Sequence, residues 1–358
     1  MLIADDSVVL RQGVTSALAG DPEIVVIGAV RNGLEAVARV RAEAIDVVVM
    51  DVEMPVLDGI GALKEIRRTH PKVAVIMFST LTQHGSRATV EALTAGAADY
   101  VAKPESGSIA DSLDRIRHDL VPKIKAVGAG ATRRPTSVTV PPTRGVPLAY
   151  RPSVVVIGAS TGGPNALVEL LRATPTDFAA PILIAQHMPA GFTRTLAERL
   201  SSLTPHSVAE ATNGAMLSPG QIVVAPGDYH MLIAPAPGGR LQVELNQAAP
   251  ENQVRPAVDV LFRSAAKCSG TNALALVLTG MGQDGLRGCE AIRKAGGMIM
   301  VQDEASSIVW GMPGAVAKAH LADAILPIPE LARILGSSRG RTGPIPLLLS
   351  KVPGAATR

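Results

Sequence analysis

A serine occupies a glycine-rich turn, GASTG at 158–162, immediately after the apolar run Val154–Ile157. A tight turn from a strand into a helix projects a serine hydroxyl, and it leaves backbone N–H groups at the helix N-terminus that stabilise an oxyanion. An apolar run followed by a glycine-rich turn also begins a dinucleotide-binding loop. The stretch therefore predicts one of two functions, covalent hydrolysis or cofactor binding.

Cofactor binding requires the pattern G-x-G-x-x-G and, about 20 residues later, an acidic residue at the end of the next strand. Gly158 and Gly163 fit the outer positions, but Ser160 occupies the middle one, where a side chain obstructs the pyrophosphate. The next predicted strand ends in Gln186 and His187, so the ribose-binding acid is missing. The spacing favours hydrolysis.

A base and an orienting acid for the serine stand after two further predicted strands. His187 follows one of them, and Asp284 lies in a glycine-rich turn after the other. A serine hydroxyl needs a base to accept its proton, and that base needs a carboxylate to orient it. The chain order Ser160, His187, Asp284 differs from that of the α/β-hydrolases, but triads are defined by geometry. His230 remains a second candidate for the base.

Polar side chains also follow the predicted strands of the N-terminal part. Asp5 and Asp6 follow the first strand, Asp51 the third, Ser79 the fourth and Lys103 the fifth. The carboxyl ends of parallel strands share one edge of a sheet, where three converging carboxylates need a cation, and an oxygen-only cluster suits Mg²⁺. A lysine and a hydroxyl beside the metal would position phosphoryl oxygens. This set predicts phosphoryl transfer onto a carboxylate.

Apolar runs that alternate with amphipathic segments predict short buried strands separated by helices. Five such units in the N-terminal part predict a doubly wound five-stranded parallel sheet. The C-terminal part predicts a second α/β domain with a mainly parallel sheet and a hairpin insertion. The predicted strands are Leu2–Ala4, Ile24–Ile27, Val47–Met50, Val73–Phe78, Tyr100–Ala102, Val154–Ile157, Ile182–Ala185, Ile222–Ala225, Met231–Ala234, Leu241–Leu245, Leu274–Leu278 and Met298–Val301.

A stretch rich in proline, threonine and arginine separates the two parts and shows no periodicity. We therefore predict a first domain at 1–121, a semi-extended linker at 122–152 and a second domain at 153–337. The composition of residues 338–358, rich in glycine, serine and proline, predicts a disordered tail.

The composition is that of a globular protein, because 47% of the 358 residues are hydrophobic and 18% are charged. The net charge of +3, from 34 basic and 31 acidic residues, is too balanced to predict nucleic-acid binding. Cys268 and Cys289 have no cysteine or histidine neighbours at the spacing of metal ligands. We therefore expect two free thiols in a reducing compartment. No apolar run approaches the roughly 20 residues that span a bilayer. We expect a cytoplasmic monomer that is not membrane-embedded.

The N-terminal part resembles the receiver domain of response regulators over about residues 1–121. The resemblance rests on ADDS at 4–7, MDVEMPVLDG at 50–59, MFST at 77–80 and DYVAKP at 99–104. It implies that a histidine kinase phosphorylates Asp51. It also implies an Mg²⁺ site, contacts to the phosphoryl group and an aromatic switch. The implied residues are Asp5, Asp6, Asp51 and the backbone carbonyl of Glu53 for Mg²⁺, Ser79 and Lys103 for the phosphoryl group, and Tyr100 for the switch. Family members usually have more residues before the acidic pair, so the first strand here is expected to be short.

The second part resembles the catalytic domain of chemotaxis protein-glutamate methylesterases, the CheB family, over about residues 152–337. The matching motifs, in the family's order, are IGASTGGP, AQHMPAGFTRTLAERL, APGDYHM, RPAVDVLF, LTGMGQDG and QDEASSIVWGMPGA. The resemblance implies that Ser160 is the nucleophile, His187 the base and Asp284 its orienting acid. It places Thr161 and the backbone at Met281 in the oxyanion region, and it implies no cofactor in this domain.

The implied activity is hydrolysis of glutamyl methyl esters, and deamidation of specific glutamines, on methyl-accepting chemoreceptors during chemotactic adaptation. The unphosphorylated receiver is expected to cover the active site, and phosphorylation of Asp51 is expected to weaken that packing. Two alternatives remain at this point. One is the same esterase in a non-chemotactic receptor pathway, and the other is a response regulator whose second domain binds a nucleotide or a partner.

Overall fold

The computed structural model describes residues 1–80, 82–103, 109–132 and 150–337. The N-terminal sheet has five parallel strands in the order β2-β1-β3-β4-β5, which confirms the predicted doubly wound sheet. Because every neighbouring pair of strands is parallel, the carboxyl ends of β1, β3, β4 and β5 lie at the same edge of the sheet. The strands are β1 Leu2–Ala4, β2 Gly28–Val30, β3 Val47–Asp51, β4 Ala74–Ser79 and β5 Asp99–Ala102.

Polar residues cap the N-termini of four helices that cover this sheet. The side chains of Ser7, Asn32, Asp58 and Thr82 each accept a backbone N–H of the first helical turn that follows them. Such caps fix where the helix begins and so fix the loop before it. The helices are α1 Val8–Leu18, α2 Gly33–Ala42, α3 Gly59–Thr69, α4 Gln83–Thr94 and α5 Ile109–Thr132.

Two details of this domain differ from the prediction. Strand β2 forms at Gly28–Val30 rather than at 24–27, because the three residues of β1 offer only three partners, and these pair with Gly28–Val30. Helix α5 continues to Thr132, although the linker was expected to begin at residue 122. Leu120, Ile124 and Val127 are buried on one face of this helix at spacings of four and three residues, so packing against the sheet extends it past Pro122.

The C-terminal sheet has seven parallel strands in the order β14-β13-β12-β6-β7-β9-β8. A separate antiparallel hairpin, β10 with β11, lies beside it and confirms the predicted insertion. Strands β8 and β14 were not predicted, since each contributes only three residues to an edge of the sheet. The strands are β6 Val154–Ala159, β7 Ile182–Gln186, β8 Val208–Glu210, β9 Ile222–Val224, β10 His230–Ala236, β11 Arg240–Asn246, β12 Ala273–Val277, β13 Met298–Gln302 and β14 Ala324–Leu326.

Both faces of this sheet are buried under helices, which explains why its central strands read as continuous apolar runs. The helices are α6 Gly163–Ala173, α7 Phe192–Leu203, α8 Val258–Ser269, α9 Leu286–Lys294, α10 Met312–Lys318 and α11 Ile328–Ser337. Most of the predicted linker and the whole predicted tail, residues 338–358, lie outside the described residues. None of the helices in the described ranges combines the length and apolar character needed to cross a membrane.

The two domains pack against each other through α4, β5, α6 and α7. Buried apolar side chains of α4, including Val90 and Leu93, belong to one continuous core with those of α6 and α7. The rings of Tyr100 and Phe192 stack across the boundary with their centroids 5.1 Å apart. Arg199 Nε also donates to Thr94 Oγ1 at 3.3 Å. The receiver-type domain therefore lies directly on the helices that flank the carboxyl edge of the second sheet.

Candidate active site

Three adjacent strands bring the predicted serine, histidine and aspartate to one edge of the second sheet. Ser160 follows β6, His187 follows β7 and Asp284 lies in the loop after β12. Strand β6 pairs with β12 on one side and with β7 on the other, so the serine stands between the other two residues. The topology thus converts residues far apart in the chain into one cluster.

His187 and Asp284 form a direct pair. The distance from His187 Nε2 to Asp284 Oδ2 is 2.8 Å, and the Asp284 side chain is only 3% exposed. Since Nε2 faces the aspartate, Nδ1 is the imidazole nitrogen left to accept a proton. The pair therefore has the base-and-orienter arrangement that activates a serine.

Backbone N–H groups hold the Asp284 carboxylate in its ionised form. Val258 N donates to Oδ2 at 2.7 Å, and Asp259 N donates to Oδ1 at 2.9 Å, both from the first turn of α8. Burial by itself raises the pKa of Asp284, but the hydrogen bond from His187 and these N–H groups outweigh it and leave the pKa lowered. The N-terminus of α8 thus favours a negative charge beside His187.

Ser160 shares a cavity of about 520 Å³ with His187 and Asp284. In the described part of the chain no hydrogen bond joins the Ser160 hydroxyl to His187. Such nucleophile–base contacts are often loose before substrate binds. Gly280 lets the Asp284 loop approach the serine, because a Cβ there would lie 2.9 Å from Ser160 Cβ.

The second candidate base, His230, lies outside this cavity and has both ring nitrogens engaged. Its Nε2 is 3.1 Å from the carbonyl oxygen of Ala249, and Ala257 N donates to its Nδ1 at 3.2 Å. The side chain is buried. His230 therefore serves to hold the β10–β11 hairpin against the start of α8.

The receiver-type domain contacts the turn that carries the serine. The Thr161 hydroxyl donates to the Asp99 carboxylate, and Gly162 N donates to the carbonyl oxygen of Ala98 at 2.8 Å. Gly162 has φ 79°, a left-handed conformation that glycine adopts without strain, so it can begin α6 at this contact. Because its hydroxyl binds Asp99, the side chain of Thr161 is occupied by the other domain. Met281, the other residue predicted for the oxyanion region, lines the cavity and is partly exposed.

Sequence reasoning missed several residues of this site. Asp99 was read only as part of a receiver motif, although it reaches the serine turn. Asn252 and Asp259 were not singled out, although the Asn252 amide contacts both Asp284 and Asp259. The only available signal was the stretch ENQVRPAVD at 251–259, in which an asparagine and a proline indicate a turn before the helix that carries Asp259.

The second cluster lies at the carboxyl edge of the N-terminal sheet. One carboxylate oxygen from each of Asp5, Asp6 and Asp51 can be chosen so that all three lie within 4.8 Å of one another. Lys103 Nζ lies 2.8 Å from Asp51 Oδ2 and 3.0 Å from Asp5 Oδ2. Burial raises the pKa of Asp51 to about 6, against the opposing effect of Lys103. A hard cation with oxygen ligands fits this excess of buried negative charge.

The other residues implied for this cluster also lie at its edge. Asp6, Asp51, Glu53, Ser79 and Lys103 line one cavity of about 220 Å³. Lys103 N donates to the carbonyl oxygen of Ser79 at 2.7 Å, so the ends of β4 and β5 are fixed together. Tyr100 points away from this cavity toward the domain boundary, where its ring meets Phe192.

Fold and geometry together define a two-domain α/β protein in which a receiver-type domain covers a serine–histidine–aspartate cleft. The chain belongs to the CheB methylesterase family: the model of the CheB methylesterase family matches residues 155–335, and that of the response regulator receiver domain matches residues 1–113.

Named relatives match nearly the whole chain. A protein-glutamate methylesterase/protein-glutamine glutaminase of Nocardioides sp. is 47% identical over 354 residues, which cover 95% of this chain and 96% of the relative. One of the same name from Trichodesmium erythraeum is 44% identical over 347 residues, covering 93% and 96%. The crystal structure of the Thermotoga maritima CheB methylesterase catalytic domain is similar with a TM-score of 0.50 and 39% identity, covering 51% of this chain and 97% of that one.

Proposed function

We propose that this protein is a phosphorylation-regulated protein-glutamate methylesterase that also deamidates glutamines, and that it acts on methyl-accepting chemoreceptors in chemotactic adaptation. The observation that carries the proposal is the His187–Asp284 pair at the strand ends that flank Ser160. The names of the relatives support the substrate class. We propose that it acts in the cytoplasm, where the methylated helices of such receptors lie.

In the proposed reaction the Ser160 hydroxyl attacks the γ-carbonyl carbon of a glutamyl methyl ester, and His187 Nδ1 accepts its proton. Asp284 stabilises the imidazolium that forms. His187 returns the proton to the leaving methoxide, so methanol departs and an acyl-enzyme remains. Water then attacks the acyl-enzyme with His187 as base and releases glutamate. A glutamine substrate follows the same steps with ammonia as the leaving group. N–H groups near Thr161 and Met281 would face the oxyanion.

Regulation is proposed to come from the contact between the two domains. With Asp99 on Thr161 and Ala98 on Gly162, a receptor helix has restricted access to Ser160. A partner histidine kinase would phosphorylate Asp51, and Ser79 and Lys103 would contact the phosphoryl group. Asp5, Asp6, Asp51 and the carbonyl of Glu53 would hold Mg²⁺, which offsets the phosphoryl charge when bound. Tyr100, which lies in the same domain as Asp51 and stacks on Phe192 of the other, would change rotamer and loosen the boundary.

The test is release of methanol from receptor membranes that carry labelled methyl esters. We expect Ser160→Ala to lower the rate at least about 10³-fold, because the acyl-enzyme can no longer form. Ser153→Ala is a matched control, since Ser153 lies directly before the first residue of β6, whereas Ser160 directly follows its last, and Ser153 is exposed. Its activity should equal that of the unaltered protein. Retained activity in a folded Ser160→Ala variant would contradict the proposal.

A further inference from the structure

Behind the His187–Asp284 pair lies a second buried carboxylate that the proposed reaction does not use. Asp259, in the first turn of α8, is 1% exposed. Its Oδ1 accepts Gly288 N at 2.7 Å from the first turn of α9, the helix that follows Asp284 in the chain. Burial and the negative charge of Asp284 both raise the pKa of Asp259. Two carboxylates in one poorly solvated place compete for a proton unless something separates them.

The group between them is the side-chain amide of Asn252. Its Nδ2 donates to Asp284 Oδ1 at 2.8 Å and to Asp259 Oδ2 at 3.0 Å. An NH₂ group has two protons to donate and none to lose in this pH range, so both carboxylates accept and neither has to carry a proton. A hydroxyl or a carboxyl group could not satisfy both acceptors.

The turn that carries Asn252 is built to hold the amide there. Asn252 has φ 54°, a left-handed conformation that asparagine and aspartate tolerate better than most residues. The preceding residue, Glu251, forms a two-pronged ion pair with Arg263 of α8, with distances of 2.7 Å and 2.5 Å. One helix thus supplies Asp259 and also, through Arg263, anchors the turn from which Asn252 reaches it.

We propose that Asn252 is a positioning residue that keeps Asp284 ionised toward His187 by bridging it to Asp259. The proposal deepens the proposed esterase function and rests on it. Without the two-proton bridge, Asp284 and Asp259 share a proton or repel each other, and the field that Asp284 exerts on His187 changes. The other ionisable groups around the bridge are Glu251, Arg263, Arg287 and Cys289.

The test is the pH dependence of kcat/KM in Asn252→Asp, which keeps the shape and the tolerated backbone conformation but adds a carboxylate. An added negative charge favours the imidazolium form of His187, which cannot act as a base. We expect the acid limb of the profile to move up by about 0.5–1 pH unit, so that kcat/KM falls about three- to tenfold on that limb and returns toward the unaltered value on the alkaline plateau. KM should change little, since the loss lies in the base.

Two further variants separate charge from simple packing. Asp259→Asn in the Asn252→Asp background restores the net charge, so we expect the acid limb to return toward that of the unaltered protein. Asn272→Asp places the same change at the opposite edge of the sheet, before β12, and should leave the profile in place. A folded Asn252→Asp variant with an unshifted profile would overturn the inference, as would a shift that the second substitution does not reverse.

Ser160→Ala, measured alongside, supplies the background rate at each pH. If that variant keeps its activity, the proposed function fails. If it is inactive while the Asn252 and Asp259 variants keep the original profile, only the bridging role of Asn252 fails.

Discussion

Three buried carboxylates of this protein differ in what surrounds them, and their roles follow from that difference. Asp284 accepts N–H groups from α8, and its pKa is lowered. Asp259 lies beside Asp284, and its pKa is raised. Asp51 faces Asp5 in a buried pocket with one lysine, and burial raises its pKa to about 6. These surroundings suit the roles proposed for two of them, orienting acid for Asp284 and acceptor of a phosphoryl group for Asp51.

The raised pKa of Asp51 predicts a pH-dependent cost in stability. The folded state holds the proton of Asp51 up to about pH 6, whereas the unfolded chain loses it near the ordinary aspartate pKa of 3.8. Its contribution to stability is therefore full below that value and is lost as the pH rises through about 6. Asp51→Asn removes the charge, so we expect the free energy of unfolding at about pH 7.5 to rise by about 1–2 kcal/mol. This figure already allows for the lost ion pair with Lys103 and for screening by water, which both reduce the gain.

Urea unfolding without Mg²⁺, followed at about pH 7.5 and about pH 4, checks this expectation. The gain should be much smaller at the lower pH, where Asp51 is protonated in the folded state and only about half ionised in the unfolded chain. An equal gain at both values would show that the charge of Asp51 is not its cause.

At the scale of elements, one strand end joins the two domains. The last residue before β5, Ala98, and its first residues, Asp99 and Tyr100, contact the serine turn and α7. Lys123 of α5 donates to Asp99 Oδ1 at 3.0 Å and to the carbonyl oxygen of Tyr100, so α5 holds this strand end in place. The element that would respond to the phosphorylation site therefore also covers the serine.

This contact predicts that Asp99→Ala raises the activity of the unphosphorylated protein. The variant removes the carboxylate that accepts the Thr161 hydroxyl, and a hydrogen bond to a charged group is worth about 1.5–3 kcal/mol. We expect basal methanol release to rise about three- to tenfold, since neighbouring contacts remain. Asp114→Ala, on the exposed face of α5, is the matched control and should not change the rate. Unchanged basal activity in the Asp99 variant would argue that this contact does not restrain the enzyme.

At the scale of the whole molecule, two α/β domains are joined by a boundary that is partly core and partly polar. The apolar side chains of α4 continue into the core of the second domain. The polar contacts concentrate at the serine turn. Under the proposed regulation this boundary would exchange between a closed and an open arrangement, and a modest change in free energy would shift the balance between them.

The whole chain is therefore expected to respond to phosphorylation through Asp51. A small phosphodonor with Mg²⁺ should raise methanol release about tenfold or more, a bias of about 1.4 kcal/mol, and Asp51→Asn should not respond. Removal of residues 1–132 should give high activity that no phosphodonor changes. If the truncated protein folds and is less active than the full chain, the receiver does not inhibit the second domain.

Sequence alone determined the local parts of this protein. Central strands that are buried on both faces read as apolar runs, and the residues after them, such as Asp51, Ser160 and His187, could be named because strand ends are local features. Edge strands β8 and β14 were missed because three residues on one edge carry too little pattern. The predicted linker began too early, because Ile124 and Val127 continue the buried face of α5 beyond Leu120 and pack on the sheet.

Only the tertiary structure decided what depends on distance between remote segments. It separated His230 from the cavity, because the ring nitrogens of that histidine bind backbone groups near α8. It brought Asp99 to Thr161 and Asn252 between two carboxylates, and neither contact has a sequence spacing that announces it. Sequence records which groups can react, since residue type and strand position are written in the chain. Which charges face each other is set by how the strands, helices and domains pack.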